Sequence, residues 1–138
     1  MRASTAPPER TREGASGCRI VICDDQQPFR TVLKVILGFE AGFEVVGEAE
    51  NGSEVIPLVR ALAPDVLLLD VAMPVMDGLE ALPHVREAAP ETAVIVLTGL
   101  ASPDIRERAL AAGAHLVVEK GTDADVLARH VREACAAG

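Results

Sequence analysis

Five short apolar runs, each closed by a turn or a polar residue and each followed by a stretch of helical periodicity, restrict this chain to one kind of architecture. The runs are Arg19–Cys23, Glu44–Ala49, Val66–Leu69, Ala93–Leu97 and His115–Glu119. Val66-Leu67-Leu68-Leu69 shows no polar alternation and stops on Asp70, the pattern of a strand buried on both faces. Glu44–Ala49 is more polar and reads as an edge strand. Between and after the runs, apolar residues recur every three or four positions. Phe29, Val32, Leu33, Ile36 and Leu37 form the first such stripe, and Val55, Ile56, Val59 and Leu62 the second. Gly78 to Ala88 is the third helical stretch, Ile105, Ala109 and Ala112 mark the fourth, and Ala124, Leu127, Val131 and Ala134 the fifth. Five βα units without an internal repeat imply an α/β domain with a parallel sheet covered by helices on both faces.

Local signals sharpen the boundaries. Pro28 suits a first helical turn, and Asn51-Gly52 turns the chain. Ser102-Pro103-Asp104 is a helix start and Gly113 a helix end. Thr122 with Asp125 resembles a capping arrangement for the last helix. Two prolines conflict with the pattern. Pro57 weakens the second helix unless it lies in the first turn, and Pro83 would cost about 3 kcal/mol in a regular interior, so the third helix is expected to start late or bend.

Composition excludes several classes. The 138 residues are 49% apolar and 25% charged with a net charge of −8, enough apolar content for a core and the wrong sign for a nucleic-acid or anionic-membrane surface. No stretch approaches the roughly eighteen consecutive apolar residues of a membrane span, and the amino terminus has no apolar signal core, so a cytoplasmic protein is expected. Residues 1–17 hold prolines, glycines and mixed charge without periodicity and read as a disordered tail, leaving 18–137 as one folded domain. Cys18, Cys23 and Cys135 lack metal spacing and read as buried or idle reduced thiols rather than a disulfide framework. His84, His115 and His130 are scattered and carry no metal role.

The chemistry lies where the strands stop. In an open parallel sheet all strand carboxyl ends lie on one rim, which is where ligands bind. Here those ends are Asp24-Asp25, Asp70, Thr98 and Lys120. Each alone is an ordinary cap or turn residue. Together they gather carboxylates, a hydroxyl and an ammonium around one crevice. Two carboxylates about 5 Å apart repel by roughly 3 kcal/mol at an effective dielectric near 20, and such crowding calls for a cation. A hard divalent ion with oxygen ligands fits, Mg²⁺ taking one or two carboxylates with waters and phosphate oxygens.

Asp24-Asp25, Leu69-Asp70, Met73-Pro74, Met76-Asp77-Gly78, Thr98 and Lys120 together resemble the receiver domain of two-component response regulators, over about residues 18–137. The resemblance implies a flavodoxin-like, doubly wound five-stranded sheet of order 2-1-3-4-5. It also implies Asp70 as phosphoacceptor, and Asp25 and Asp70 as direct Mg²⁺ ligands with Asp24 in support. The Ala72 backbone carbonyl would be a further metal ligand, with Mn²⁺ as the alternative ion. Thr98 and Lys120 would engage the phosphoryl oxygens. A phosphohistidine of a sensor kinase or phosphotransfer protein would be the donor, and the chain would catalyse only its own phosphorylation and slow dephosphorylation. Output would pass to a downstream protein through the face of the fourth helix, fifth strand and fifth helix, a face through which a homodimer could also form. No direct nucleic-acid or membrane partner is expected, and an output unit would reside in a partner or outside this chain.

Four positions depart from the family pattern. Val117 stands where relatives often carry an aromatic switch residue, three positions before Lys120, and Gly121 stands where many have proline. Ala72 and Leu100 offer no acid or amide to position an attacking water, so a durable phosphoryl group is expected. The main alternative is a pseudo-receiver, a phosphorylation-independent interaction module. A small Mg²⁺-dependent hydrolase usually carries a second Asp at the place of Ala72, and a flavodoxin-like carrier needs a phosphate loop where Asp24-Asp25-Gln26-Gln27 would repel one.

Overall fold

The computed structural model describes residues 17–137. Its strands are β1 (Cys18–Cys23), β2 (Phe43–Ala49), β3 (Val66–Asp70), β4 (Ala93–Thr98) and β5 (Leu116–Glu119). They alternate with helices α1 (Gln27–Gly38), α2 (Gly52–Leu62), α3 (Gly78–Ala88), α4 (Pro103–Ala111) and α5 (Ala124–Ala137). All strand pairs are parallel, in the order β2-β1-β3-β4-β5, so the polar β2 is an edge and the apolar β3 is central, as the sequence implies. The tail expected over residues 1–17 lies outside the described residues except for Gly17.

Alternation along the strands divides the core in two. Val21, Cys23, Leu67, Leu69, Val94, Val96 and Val117 face one side and pack with Val55 and Val59 of α2, Leu82 and Val85 of α3, and Ala109 of α4. Ile20, Ile22, Leu68, Ile95, Leu97 and Val118 face the other and pack with Leu33 and Leu37 of α1 and Leu127 and Val131 of α5. Each large side chain so buried contributes about 1.5–3 kcal/mol, which makes β3, apolar on both faces, the natural centre of the sheet. Register then sets the rim: Cys23 lies beside Leu69 and Ala49, Asp70 beside Leu97, and Thr98 beside Glu119.

Several local expectations are corrected. The third helix starts at Gly78, with Asp77 and Glu80 in a reciprocal capping box, and so contains Pro83 in its interior. Pro57 likewise lies beyond the first turn of α2. Both prolines are exposed, so their rings lie on the solvent side of their helices. The last helix begins at Ala124, which puts Asp123 rather than Thr122 immediately before it. On α1 the buried positions are Arg30, Leu33 and Leu37, whereas Val32 is half exposed.

The cysteine expectation fails for two of the three. Cys18 and Cys135 are joined as a disulfide with their Cα atoms 6.1 Å apart, within the range such bridges span. Both lie on the α1/α5 side of the sheet, one at the start of β1 and one near the end of α5, a closeness that 117 residues of separation conceal. Cys23 is free and buried, as expected. Among the described residues no helix is long and apolar enough to cross a membrane.

Candidate functional site

The parallel sheet carries Asp24 and Asp25 off β1, Asp70 off β3, Thr98 off β4 and Lys120 off β5 to one rim. One carboxylate oxygen each from Asp24, Asp25 and Asp70 falls within 4.8 Å of the others. Asp24 and Asp70 are only 1% and 3% exposed, while Asp25 stands exposed at the mouth. The Lys120 ammonium sits between the two buried acids, with Nζ 2.8 Å from Asp24 Oδ2 and 3.2 Å from Asp70 Oδ1. Lys120 itself rests over the Phe29 ring at 4.5 Å from its centroid, a cation–π contact that fixes the ammonium from the α1 side.

Burial and the neighbouring charge of Asp24 push the Asp70 carboxyl up from 3.8 to about 6, against the pull of Lys120 and of the Ala72 N–H, which donates to Oδ1 at 3.3 Å. Burial presses the Lys120 ammonium downward, but Asp24 and Asp70 outweigh it and hold its pKa above the ordinary lysine value. The fit to a divalent cation follows from the donor set. Three carboxylates face one amine, and Asp24 Oδ2, though ion-paired with Lys120, is buried without a directed hydrogen bond. A hard cation supplies the missing positive charge and accepts oxygen donors at this spacing.

Thr98 is buried at the end of β4, but its hydroxyl is engaged with its own loop, donating to the Leu100 carbonyl at 3.3 Å and accepting from the Leu100 N–H. Its backbone carbonyl accepts from the Lys120 N–H at 2.8 Å, which ties the two strand ends together. Ala72 lies exposed in the loop after β3. That loop is shaped by Gly78, whose N–H donates to the Val71 carbonyl, and where a Cβ would stand 2.1 Å from the Asp70 carbonyl oxygen. Val75, in the same loop, adopts φ of 69°, a left-handed conformation unfavourable for a β-branched residue.

Three supports were not foreseen in the sequence. Arg30 is buried and brackets the acid pair: Nη1 donates to the Asp24 carbonyl at 2.5 Å and Nε to Glu48 on β2 at 2.8 Å. The signal was present as a cation at a core position of α1, in step with Leu33 and Leu37. Glu119, next to Lys120, accepts from the Ala101 N–H at 3.1 Å, and Arg106 of α4 donates to the Val117 carbonyl at 3.3 Å. Contacts to backbone groups leave no sequence pattern. Cys23, adjacent to the pocket, is inert as a nucleophile because burial and the charges of Asp70 and Asp24 push its thiol far up.

The family profile of the response regulator receiver domain matches residues 20–132. The chain belongs to the response regulator receiver domain family. Over 114 residues the receiver is 38% identical to the transcriptional regulatory protein DegU of Brevibacillus brevis, covering 83% of this chain and 48% of DegU. It is 36% identical to the chemotaxis protein CheY of Thermotoga maritima, covering 71% of this chain and 81% of CheY. Among solved structures, the signal receiver domain of NarL from Mycobacterium tuberculosis superposes with a TM-score of 0.84 at 31% identity, covering 90% of this chain and all of that one. The receiver thus spans about half the length of the transcriptional regulators it matches.

Proposed function

We propose that this receiver accepts a phosphoryl group on Asp70 from a phosphohistidine of a histidine kinase or phosphotransfer protein, and signals the change through α4, β5 and α5. The observation that carries this reading is the convergence of two buried acids, one exposed acid and a bridging ammonium at the carboxyl end of the sheet. Asp24, Asp25, Asp70 and the Ala72 carbonyl would hold Mg²⁺, with Mn²⁺ as the alternative. When bound, the cation supplies positive charge to the equatorial oxygens of the group in transfer.

The chain's own residues do the rest. The Asp70 carboxylate attacks phosphorus in line with the departing imidazole; the P–O bond forms as the P–N bond breaks, and the imidazole takes up a proton. Lys120, held between Asp24 and Asp70, is placed to shift from carboxylate to phosphoryl oxygen as charge moves outward. The Thr98 hydroxyl must leave the Leu100 carbonyl to donate to the same group, which couples phosphorylation to the loop before α4. The receiver modifies itself and turns over no external substrate, and the cytoplasm, where such donors are made, is its expected place. Its downstream target is a protein.

Incubation with Mg²⁺ and a small acyl-phosphate donor is expected to add the mass of one phosphoryl group, and Asp70→Asn to abolish the gain. Lys120→Met should slow it by on the order of 10²-fold, the usual loss on removing a charged donor from a transition state. No modification by small donors or by a panel of autophosphorylated kinases would leave the interaction-module reading instead, which Val117 in place of a ring favours. With neither Ala72 nor Leu100 able to orient water, a phosphoryl half-life of minutes or longer is expected, and one of seconds would contradict that assignment.

A further inference from the structure

The second site lies at the opposite end of the sheet. Cys18 opens β1, six residues before the acid pair at the other rim, so roughly 20 Å of strand separates the disulfide from the pocket. Cys18 is buried at 5% exposure, whereas Cys135, in the last turn of α5, is partly exposed. Beyond Val131, α5 has few other holds: Ala134 packs partly against the core, and Arg132 pairs with Glu40 and lies 5.4 Å from the Phe43 ring centroid. An exposed ion pair of that kind contributes little. The bridge is therefore the strongest constraint on the end of α5 among the described residues.

We propose that Cys18 and Cys135 form a reversible thiol–disulfide modification site, whose state sets how firmly the carboxyl-terminal end of α5 is docked on the sheet. In compartments where thiols are kept reduced, disulfides are uncommon and those that occur are mostly transient or sensing, so the pair acts as a dithiol that closes when an oxidant arrives. That placing rests on the cytoplasmic reading above; the geometry does not. The oxidant class is a low-molecular-weight disulfide. The accessible Cys135 thiolate attacks one of its sulfurs, forming a mixed disulfide and releasing one small thiolate. The buried Cys18 thiolate then attacks Cys135 Sγ, closing the bridge and releasing the second. Two electrons pass from the protein thiols to the oxidant, and their two protons go to the released small thiols.

The test uses the full chain, equilibrated in glutathione buffers of graded redox poise without phosphate donor or Mg²⁺. After denaturation and alkylation, intact mass should show three maleimide adducts on the reduced protein and one, on Cys23, on the oxidised protein, with one midpoint between them. Reduction should lower Tm by on the order of 10 °C, since the bridge closes a loop of more than a hundred residues. Amide exchange over residues 131–137 should rise about tenfold or more, with no comparable change at β3. Cys18→Ser should trap one glutathione on Cys135, and Cys135→Ser none on Cys18. Three alkylatable thiols at every poise, equal α5 exchange in both states, or stoichiometric zinc binding by the reduced pair with Asp65, which has a carboxylate oxygen within 4.8 Å of both sulfurs, would each overturn the proposal. None of these readings depends on whether Asp70 is phosphorylated.

Discussion

Asp70 is a carboxylate that its surroundings hold against ionisation, and that has a measurable cost. Its folded pKa is raised by burial and by Asp24 to about 6 from 3.8. A carboxyl raised in this direction contributes stability that is fully present below the unfolded value and is lost as pH rises through the folded one. Lys120 is raised as well, but its contribution is lost only in the alkaline range and does not cancel this one. In metal-free solution near pH 7.5, ionised Asp70 therefore costs about 1–3 kcal/mol. Asp70→Asn is expected to raise Tm by several degrees there, with the advantage vanishing near pH 4, as followed by calorimetry in chelator. An advantage equal at both pH values would show that the gain has another source. Gly78 is constrained by space: in Gly78→Ala, a Cβ 2.1 Å from the Asp70 carbonyl oxygen cannot be accommodated by a rotamer change, so the backbone carrying Asp70 must move. A loss of about 2–4 kcal/mol in denaturant unfolding is expected, together with weaker Mg²⁺ binding.

Helix α1 shows why the arrangement of the elements was more legible than their faces. Strands announce themselves as apolar runs, and their polar terminal residues named the pocket, because a parallel sheet sends every carboxyl end to the same rim. The α1 stripe keeps its phase, with Leu33 and Leu37 buried and Phe29 packed beside them, but Arg30, a residue type that an apolar pattern discounts, takes a core position and Val32 is half exposed. Arg30 belongs there because its guanidinium finds the Asp24 carbonyl, Glu48 and, at 3.7 Å, Glu50. Lys34 reaches the same Glu48 from a more exposed position, and the hydrogen bond from Lys34, followed by that from Arg30, holds the Glu48 carboxyl below its ordinary pKa. The two cations should thus separate on substitution. Arg30→Met is expected to cost about 1.5–3 kcal/mol, the range for charged hydrogen bonds, and to raise the Mg²⁺ midpoint several-fold by loosening the acid pair. Lys34→Met should cost less than about 1 kcal/mol and leave the midpoint unchanged. Equal effects in a denaturant and Mg²⁺ titration would remove Arg30 from its bracketing role.

At the scale of the molecule, the three helices on one side of the sheet are unequally secured. Helices α2 and α3 pack on each other and bury several large apolar side chains, whereas α4 has nine residues, buries only Ala109 and exposes Leu110. Beside the packing of Ala101, Ala109 and Ala112, two polar tethers hold α4 and the loop before it to β5, Arg106 to the Val117 carbonyl and the Ala101 N–H to Glu119. Elements with few apolar contacts open at lower free energy than the core, so amides of α4 should exchange fastest among the helices. Because Glu119 adjoins Lys120 and Ala101 follows Thr98 in the same loop, the tethers also join the two strand ends that face the pocket. They offer a connection where no aromatic ring stands at position 117. Glu119→Ala is expected to speed exchange across residues 100–112 several-fold while leaving α2 unchanged, since only the Ala101 tether is lost. If α4 exchanges as slowly as α2 before the substitution, it is secured by packing, and motion at Lys120 would have to reach the surface by another route.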